Sequence, residues 1–439
     1  MQGSHSGFRL PRICLPRSGI DLKKWAVIAC DQHTAEPDYW ERVAQEVGDA
    51  PSTLHLIYPE VYLGAPDAAA RIARIQQTMR RYLDEGAFVE HTGPVYVQRT
   101  VEGRTRHGLM LELDLEHYDY SAHSTSLIRP TEGTMVARLA PRIEVRRGAA
   151  LELPHILVLI DDPAHTVIAP LAAARRHALT PLYETDLMAG GGHVAGFAVD
   201  EATSRRAVQS LAALADPQQF AARYDVRAGA PPMLFAMGDG NHSLATAKAI
   251  WDGAKAGVGM DHPSRFALVE VVNIHDPALD FAPIHRLLFG VTVDVRQALV
   301  RRFGARVSCT DVPSAAAMRE RVASAPGPRQ AAGLIGPGAR FSVIEIADPP
   351  STLAVGTWQP FIDGLIEQGG AREVDYVHGD AALERLAQQD GHVGVHLAGI
   401  GKSELMRRVV HEGPTPRKTF SMGEAHEKRY YMEARRLAP

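Results

Sequence analysis

The stretch Phe235-Ala-Met-Gly-Asp-Gly-Asn-His-Ser-Leu-Ala-Thr-Ala-Lys-Ala-Ile-Trp251 decides how the middle of this chain folds. Its apolar start leads into the turn Gly238-Asp-Gly-Asn-His-Ser243. After the turn, Leu244, Ala247 and Trp251 follow the i, i+3, i+7 spacing of one helical face. A strand that ends in a Gly-X-Gly turn and continues into a helix can bind anions, because glycine permits a positive φ and the first helical N–H groups face outward.

The same turn has a purely structural interpretation, which the spacing alone leaves open. Asn241 or Ser243 would then only cap the helix. Asp239 would stabilise the turn through its side chain, and His242 would face solvent at the start of the helix. A strand, a tight turn and a helix are therefore predicted here, with or without a ligand.

The composition is that of an ordinary globular protein, with 45% hydrophobic and 22% charged residues in a chain of 439. This length predicts roughly three domains. The net charge of −4 and the lack of a dense Lys/Arg block do not favour a nucleic-acid partner. Three widely spaced cysteines argue against a disulfide framework and a structural zinc site. No apolar signal segment or run of about 20 apolar residues occurs, so we expect a cytoplasmic protein without membrane contact.

Apolar runs of strand length alternate with helical segments, which predicts an α/β to α+β fold with several domains and mixed sheets. The predicted strands include Trp25–Cys30, Leu54–Ile57, Val95–Val101, Gly108–Leu115, Ile156–Ile160, Leu182–Leu187, Phe266–Ile274, Ala332–Ile335, Phe341–Ile346 and Val393–Leu397. Helices are predicted from about Pro37, Ala68, Val167, Glu201, Val291 and Ala381, and Met135–Val145 is predicted to be extended. Breaks near Pro163 and Gly290 predict an N-terminal α/β domain (1–163), a central domain that contains the turn (164–290) and a C-terminal α+β domain with a tail (291–439).

Six segments, in the same order along nearly the whole chain, resemble the domain-of-unknown-function 1015 family. They are Lys24–Pro37, Ser124–Gly133, Leu153–Pro163, Met237–Ser243, Pro283–Arg286 and Phe420–Tyr431. Much of that family has Asp-Gly-His-His-Arg at the central turn, a form similar to the loop–helix of ParB/sulfiredoxin-like proteins. Members of that wider group bind nucleotides there, and some are kinases of small molecules such as free serine. In this chain Asn241 stands in place of the first His and Ser243 in place of the Arg, so a cation for phosphate must come from elsewhere.

The resemblance implies a nucleotide-dependent phosphotransferase that uses ATP or ADP with Mg²⁺ and acts on a hydroxyl group of a small molecule. The candidate binding residues are Gly238, Gly240, Asn241, Ser243, Arg129, Arg286 and Lys418, and the candidate catalytic residues are Asp239, His242 and His285. His242 is a candidate base because imidazole titrates near neutral pH. Asp239 is also the candidate Mg²⁺ ligand, since this ion prefers carboxylate oxygen.

Other interpretations compete with this one. A non-catalytic protein that binds a small anion or a partner would keep the loop without the chemistry, and Ser243 favours it. For His285 and Arg286 a packed histidine beside an arginine that reaches solvent is the structural alternative. Cys30 is more typical of a packed thiol than of a nucleophile. His155, His165 and His193 lack the spacing of metal ligands, so no zinc site is predicted. The sequence does not predict an oligomeric state.

Overall fold

A computed structural model describes residues 7–324 and 329–437. The strands are β1 (Phe8–Arg9), β2 (Arg12–Pro16), β3 (Phe88–Thr92), β4 (Val95–Val101), β5 (Arg104–Asp114), β6 (Ile128–Arg129), β7 (Leu151–Glu152), β8 (Leu157–Ile160), β9 (Thr180–Asp186), β10 (His193–Ala198), β11 (Phe235–Asp239), β12 (Phe266–Asn273), β13 (Phe281–Phe289), β14 (Val307–Val312), β15 (Arg329–Gly336), β16 (Arg340–Ala347), β17 (Glu373–His378), β18 (Val393–Leu397), β19 (Phe420–Met422) and β20 (Arg435–Arg436).

The helices lie between these strands. They are α1 (Leu22–Trp25), α2 (Pro37–Val47), α3 (Ala68–Asp84), α4 (Leu139–Arg146), α5 (Ala169–Ala178), α6 (Glu201–Ala213), α7 (Pro217–Tyr224), α8 (Asn241–Val258), α9 (Val295–Phe303), α10 (Ala315–Ala323), α11 (Ala354–Glu367), α12 (Asp380–Ala387) and α13 (Lys402–His411). No described helix combines the length and the apolar character needed to cross a bilayer.

The chain forms two compact units. The first contains the chain up to Leu279 together with Met406–Pro414 and the segment from Gly423 onward, and the second contains Asp280–Leu405 and Thr415–Met422. The predicted boundary near Pro163 falls inside the first unit, where β8 and β12, from either side of it, pair in parallel. Strand pairing between distant parts of the chain joins segments that the predicted boundaries would separate. The structure therefore has two compact units where the sequence predicts three domains.

The first unit is built on a mixed sheet in the order β6-β11-β8-β12-β5-β4-β10-β9, with β1 beside β5. Strands β4 and β5 form the predicted hairpin, joined by Glu102 and Gly103, which both have positive φ as a two-residue hairpin turn requires. Strand β12 lies inside the sheet and is buried along nearly its whole length. The mixed sheets confirm the predicted α/β to α+β class.

The second unit has its own sheet in the order β14-β16-β15-β18-β13-β17, with β19 beside β13. Helices α10 and α12 pack against this sheet. Its core includes Leu287, Met318, Ile335 and Val343. The predicted strands near 332–335, 341–346 and 393–397 are confirmed as β15, β16 and β18.

Three predicted extended segments are wrong. The segment Met135–Val145, which the sequence predicts to be extended, contains most of α4. The helix tolerates Pro141 because this residue lies in the first helical turn, where a missing N–H costs no hydrogen bond. Of Leu54–Ile57, the first three residues lie in the 3₁₀ turn Thr53–Leu56, which Ser52 caps by accepting from the Leu54 N–H. The predicted strand Trp25–Cys30 is not a regular strand either, since Trp25 is the last residue of α1. The residues after it form isolated hydrogen bonds with the C-terminal segment; for example, the Ala29 N–H donates to the Arg429 carbonyl at 2.9 Å.

Candidate functional site

The central turn has the predicted strand–turn–helix geometry. Strand β11 ends at Asp239, Gly240 is the N-cap residue with φ 78° and ψ 26°, and α8 starts at Asn241. A Cβ atom at position 240 would lie 3.0 Å from the Cα atom of Ile156. Glycine is therefore required here both by the left-handed backbone and by the closeness of the neighbouring chain.

The first turn of α8 has no capping side chain, because its N-cap residue is glycine. The Leu244 N–H donates to the Gly240 carbonyl at 3.1 Å, which is the first i to i−4 bond of the helix. The N–H groups of Asn241, His242 and Ser243 precede that bond and have no acceptor within the helix. This row of amides at the positive end of an 18-residue helix is suited to an anion.

A lysine from the C-terminal segment lies beside this turn. Lys428 Nζ is 3.1 Å from Asp239 Oδ2, and both side chains are largely shielded, at 11% and 24% exposed. The other carboxylate oxygen of Asp239 accepts the Gly240 N–H at 2.9 Å. Asp239 therefore holds an ammonium group at the turn, and that nearby positive charge does not fit a divalent cation bound directly to Asp239.

A histidine outside the turn contacts it. His155 Nε2 lies 2.8 Å from Ser243 Oγ and 3.7 Å from Asp31 Oδ2, and His155 Nδ1 lies 2.7 Å from the hydroxyl of Tyr431. Burial alone would raise the pKa of Asp31, but the positive charges of His155 and Lys428 and a hydrogen bond from Gln32 lower it. Asp31 is thus a carboxylate next to the imidazole.

His242 has an environment that differs from the one expected of a base. Burial first, and then the positive charges of Arg142 and Arg138, lower the pKa of His242 to about 4. Its Nε2 is buried and has no hydrogen-bond partner among the described residues, and the same holds for Asn241 Oδ1. His242 is neutral at pH 7, and its pKa is far below the value that favours general-base catalysis near neutral pH.

Cys30 lies close to His155 but is not activated. Burial and the neighbouring carboxylates of Asp31 and Glu60 raise the pKa of the Cys30 thiol. The Cys30 N–H donates to the Tyr431 hydroxyl at 3.1 Å. A thiol that resists ionisation is a poor nucleophile, which supports the packed-thiol interpretation.

Arg129, a predicted phosphate ligand, lies on β6 beside β11, with Arg129 paired to Ala236. Its guanidinium donates to the backbone carbonyls of Ser126 (2.8 Å), Thr125 (3.3 Å) and Pro231 (2.8 Å). The side chain is 4% exposed. These bonds hold the loops next to the strand, so Arg129 is a structural residue of β6.

The other predicted residues, His285, Arg286 and Lys418, belong to the second unit. His285 Nδ1 accepts the Leu397 N–H at 3.2 Å, so its proton lies on Nε2, which is 3.0 Å from Asp380 Oδ1. A protonated Nε2 is not free to bind a metal. Arg286 is fully buried and donates to Gln359 Oε1 at 3.0 Å. These contacts are structural.

A cavity of about 130 Å³ adjoins the turn within the first unit. We call it the side cavity; its walls include Met79, Val145, Ala149, Leu151, Leu153 and Leu268. His155, Ser243 and Tyr431 also line it. Ser243 thus belongs both to the row of amides and to the cavity wall.

Sequence reasoning missed Asp31, His155 and Tyr431 as parts of this site, and for Lys428 it favoured a charged C-terminal tail over a phosphate-facing edge. All four lie in segments that carry the family resemblance, namely Lys24–Pro37, Leu153–Pro163 and Phe420–Tyr431. Their presence in these family-like segments was the one sign in the sequence that could have pointed to them. Their convergence on the turn depends on tertiary contacts, such as Lys428 on Asp239, which no local spacing encodes.

Comparison with known proteins agrees with the family resemblance. The chain belongs to the family described as protein of unknown function (DUF1015), whose profile matches residues 14–375. No curated protein sequence matches the chain.

Several solved structures are similar to it at low identity. A conserved hypothetical protein from Pyrococcus furiosus has 13% identity and a TM-score of 0.33, over 74% of this chain and 90% of that chain. A free serine kinase in complex with AMP has 12% identity and a TM-score of 0.36, over 75% of this chain and 91% of that chain. SbnI with C-terminal truncation from Staphylococcus aureus has 12% identity and a TM-score of 0.34, over 71% of this chain and 84% of that chain.

Proposed function

We propose that the first unit binds the phosphates of ATP or ADP at the turn Gly238–Ser243 and transfers a phosphoryl group to a hydroxyl of a small molecule. The observation that carries this proposal is the uncapped start of α8 beside the Lys428 ammonium group. Backbone N–H groups and a fixed cation are what phosphoryl transfer needs, since its catalysis is mainly positioning and charge stabilisation.

Lys428 replaces the cation that Ser243 does not provide. Its ammonium is held 3.1 Å from Asp239 Oδ2, so it is oriented before a ligand arrives. Mg²⁺, when bound to phosphate oxygens, would neutralise further charge, and Asp239 in contact with Lys428 is not its ligand in this proposal. The role of Asp239 is to position the lysine.

His155 is the proposed base. In the tautomer that the reaction needs, Nδ1–H donates to the Tyr431 oxygen, and the Nε2 lone pair, which accepts from the Ser243 hydroxyl at 2.8 Å in this structure, turns to the acceptor hydroxyl when that group displaces Ser243. The carboxylate of Asp31, 3.7 Å from Nε2, stabilises the imidazolium that forms. His242, neutral with a pKa of about 4 and with an unpaired Nε2, is proposed as a hydrogen-bonding partner of the phosphate.

The test is turnover of ATP or ADP with Mg²⁺ and a panel of hydroxyl compounds, followed by ³¹P NMR. His155→Gln is expected to lower kcat by about 100-fold or more and to leave nucleotide affinity within about twofold. His193→Gln is the matched control, because His193 lies in the same unit but pairs with Asp186 at the surface. Binding of nucleotide with no transfer to any acceptor would favour the non-catalytic anion-binding alternative, and full activity of His155→Gln would contradict the assignment of the base.

A further inference from the structure

We propose that the acceptor is a small, uncharged molecule with one hydroxyl on a largely apolar body, and that it binds in the side cavity next to the turn. This inference rests on the proposed function and adds the class of the substrate. It is drawn from the size of the cavity, the chemistry of its walls and the position of its polar end.

The size limits the ligand. The cavity volume is about 130 Å³. A closed cavity of about 150 Å³ lined by aliphatic side chains holds benzene, and by the same measure this pocket, which is open to solvent on one side, seats a body of about six heavy atoms. A whole nucleotide exceeds this volume.

The walls favour an uncharged body over a charged one. Met79, Leu151 and Leu268 are buried aliphatic side chains. Two arginines also line the cavity, and each is held in an ion pair: Arg142 with Glu60 at 2.5 Å, and Arg146 with Glu152. A carboxylate or an ammonium of the ligand would therefore have to compete with an existing ion pair, and each extra hydroxyl would lose its water wherever it faces the aliphatic part of the wall.

The cavity wall is polar where it meets the turn. Ser243 and His155 line this end, 2.8 Å apart, and Ser243 also contributes an N–H group to the proposed phosphate site. A ligand whose apolar body fills the cavity therefore presents its hydroxyl to the base and to the phosphate together.

The step that follows is balanced. The hydroxyl oxygen of the acceptor forms a bond to the terminal phosphorus of the nucleotide while the bond from that phosphorus to the bridging oxygen breaks. The electron pair of the broken bond leaves with the shortened nucleotide, and the hydroxyl proton passes to His155 Nε2. The products are a phosphate monoester and the nucleotide with one phosphate fewer.

The probes are 3-methyl-1-butanol and glycerol, which have the same number of heavy atoms, together with L-serine. Their binding to the full chain is measured by saturation-transfer NMR and calorimetry without nucleotide. We expect 3-methyl-1-butanol to bind at least about tenfold more tightly than the other two, because a polar group that loses its water against an apolar wall lowers the affinity by this factor or more. Ala149→Leu and Val145→Phe, which fill the cavity from two sides, are each expected to weaken alcohol binding at least tenfold and leave ATP binding within twofold.

Preferred binding of glycerol or L-serine, or alcohol binding unaffected in either folded variant, would overturn the proposal. Circular dichroism and the melting temperature identify a variant that fails to fold. Failure of the proposed function is a separate outcome, because it shows as absent nucleotide binding while the alcohol still binds in a way that depends on the cavity.

Discussion

At the scale of single residues, Gly240 sets the geometry of the site. Its φ of 78° and the 3.0 Å approach of Ile156 to a Cβ at this position both oppose substitution. Gly240→Ala is expected to lower the free energy of unfolding by about 1–3 kcal/mol and to weaken nucleotide binding. Gly253→Ala, in the open middle of the same helix, is the control and should raise stability by about 0.5–1 kcal/mol. Urea unfolding measures both, and equal effects at the two positions would contradict the requirement for glycine.

Lys428 is the residue on which the proposed phosphate site depends for charge. Lys428→Met is expected to weaken ATP binding by about ten- to a hundredfold, since hydrogen bonds to charged groups have this magnitude, and to reduce its sensitivity to salt. Lys255→Met is the matched control, because Lys255 also pairs with carboxylates but lies in the last turn of α8. Calorimetry at two salt concentrations measures the effect. An unchanged affinity in Lys428→Met would remove the lysine from the site.

At the scale of elements, β13 and β18 place His285 and His396 side by side, with ring centroids 4.5 Å apart and both Nε2 atoms near Asp380 Oδ1. Burial, and then the neighbouring His396, lower the pKa of His285 to about 4. Burial lowers the pKa of His396 as well. Both folded pKa values lie below the unfolded value of about 6.5, so the unfolded chain binds more protons between these values.

The contribution of these histidines to the free energy of unfolding of the second unit is therefore expected to be fully present above pH 6.5. It is expected to fall as the pH drops towards 4, by about 3 kcal/mol for His285 alone. Urea unfolding between pH 7 and pH 4 measures this loss. His285→Gln, whose side-chain oxygen can still accept the Leu397 N–H, should flatten the dependence. A variant with the same slope as the wild type would show that other groups cause it.

The sequence predicted those elements whose signals are local. The hairpin of β4 and β5, the buried strand β12 and the strand–turn–helix at Gly238–Ser243 follow from alternation, apolar runs and turn residues. Prediction failed where tertiary contacts outweighed local pattern. Local sequence predicts Trp25 in a strand, but it lies at the end of α1. Its indole N–H donates to the Met432 carbonyl at 3.1 Å, a tertiary contact between residues almost a whole chain apart.

At the scale of the whole molecule, the segment after Gly423 is fixed in the first unit by buried ion pairs. Arg429 pairs with Glu270 and Glu433, and Arg435 pairs with Glu152 at 2.6 Å. This segment also carries Lys428 and Tyr431, so the ion pairs position two residues of the candidate site. The sequence shows which residues are charged but not which of them pair. Arg435 and Glu152, for example, are more than a hundred residues apart in the chain.

Removal of one of these buried charges should be costly. Arg435→Met removes a buried guanidinium that pairs with Glu152 and Glu112, and leaves Glu152 with Arg146 alone. It is expected to lower the free energy of unfolding by about 3 kcal/mol, the low end of the cost of a broken buried ion pair. Arg436→Met, at the next position, removes only an exposed pair with Glu90 and should change stability by less than about 1 kcal/mol. Chemical denaturation compares the two variants. Similar effects would show that the buried pairs do not hold the segment.

The central claim is that the uncapped amides of α8 bind phosphate, and a crystal structure of the full chain with ADP tests it most directly. The account predicts phosphate oxygens about 3 Å from the amide nitrogens of Asn241, His242 and Ser243, with the Lys428 ammonium in contact with the same phosphate. ADP bound elsewhere, with no anion at these three amides, would contradict it.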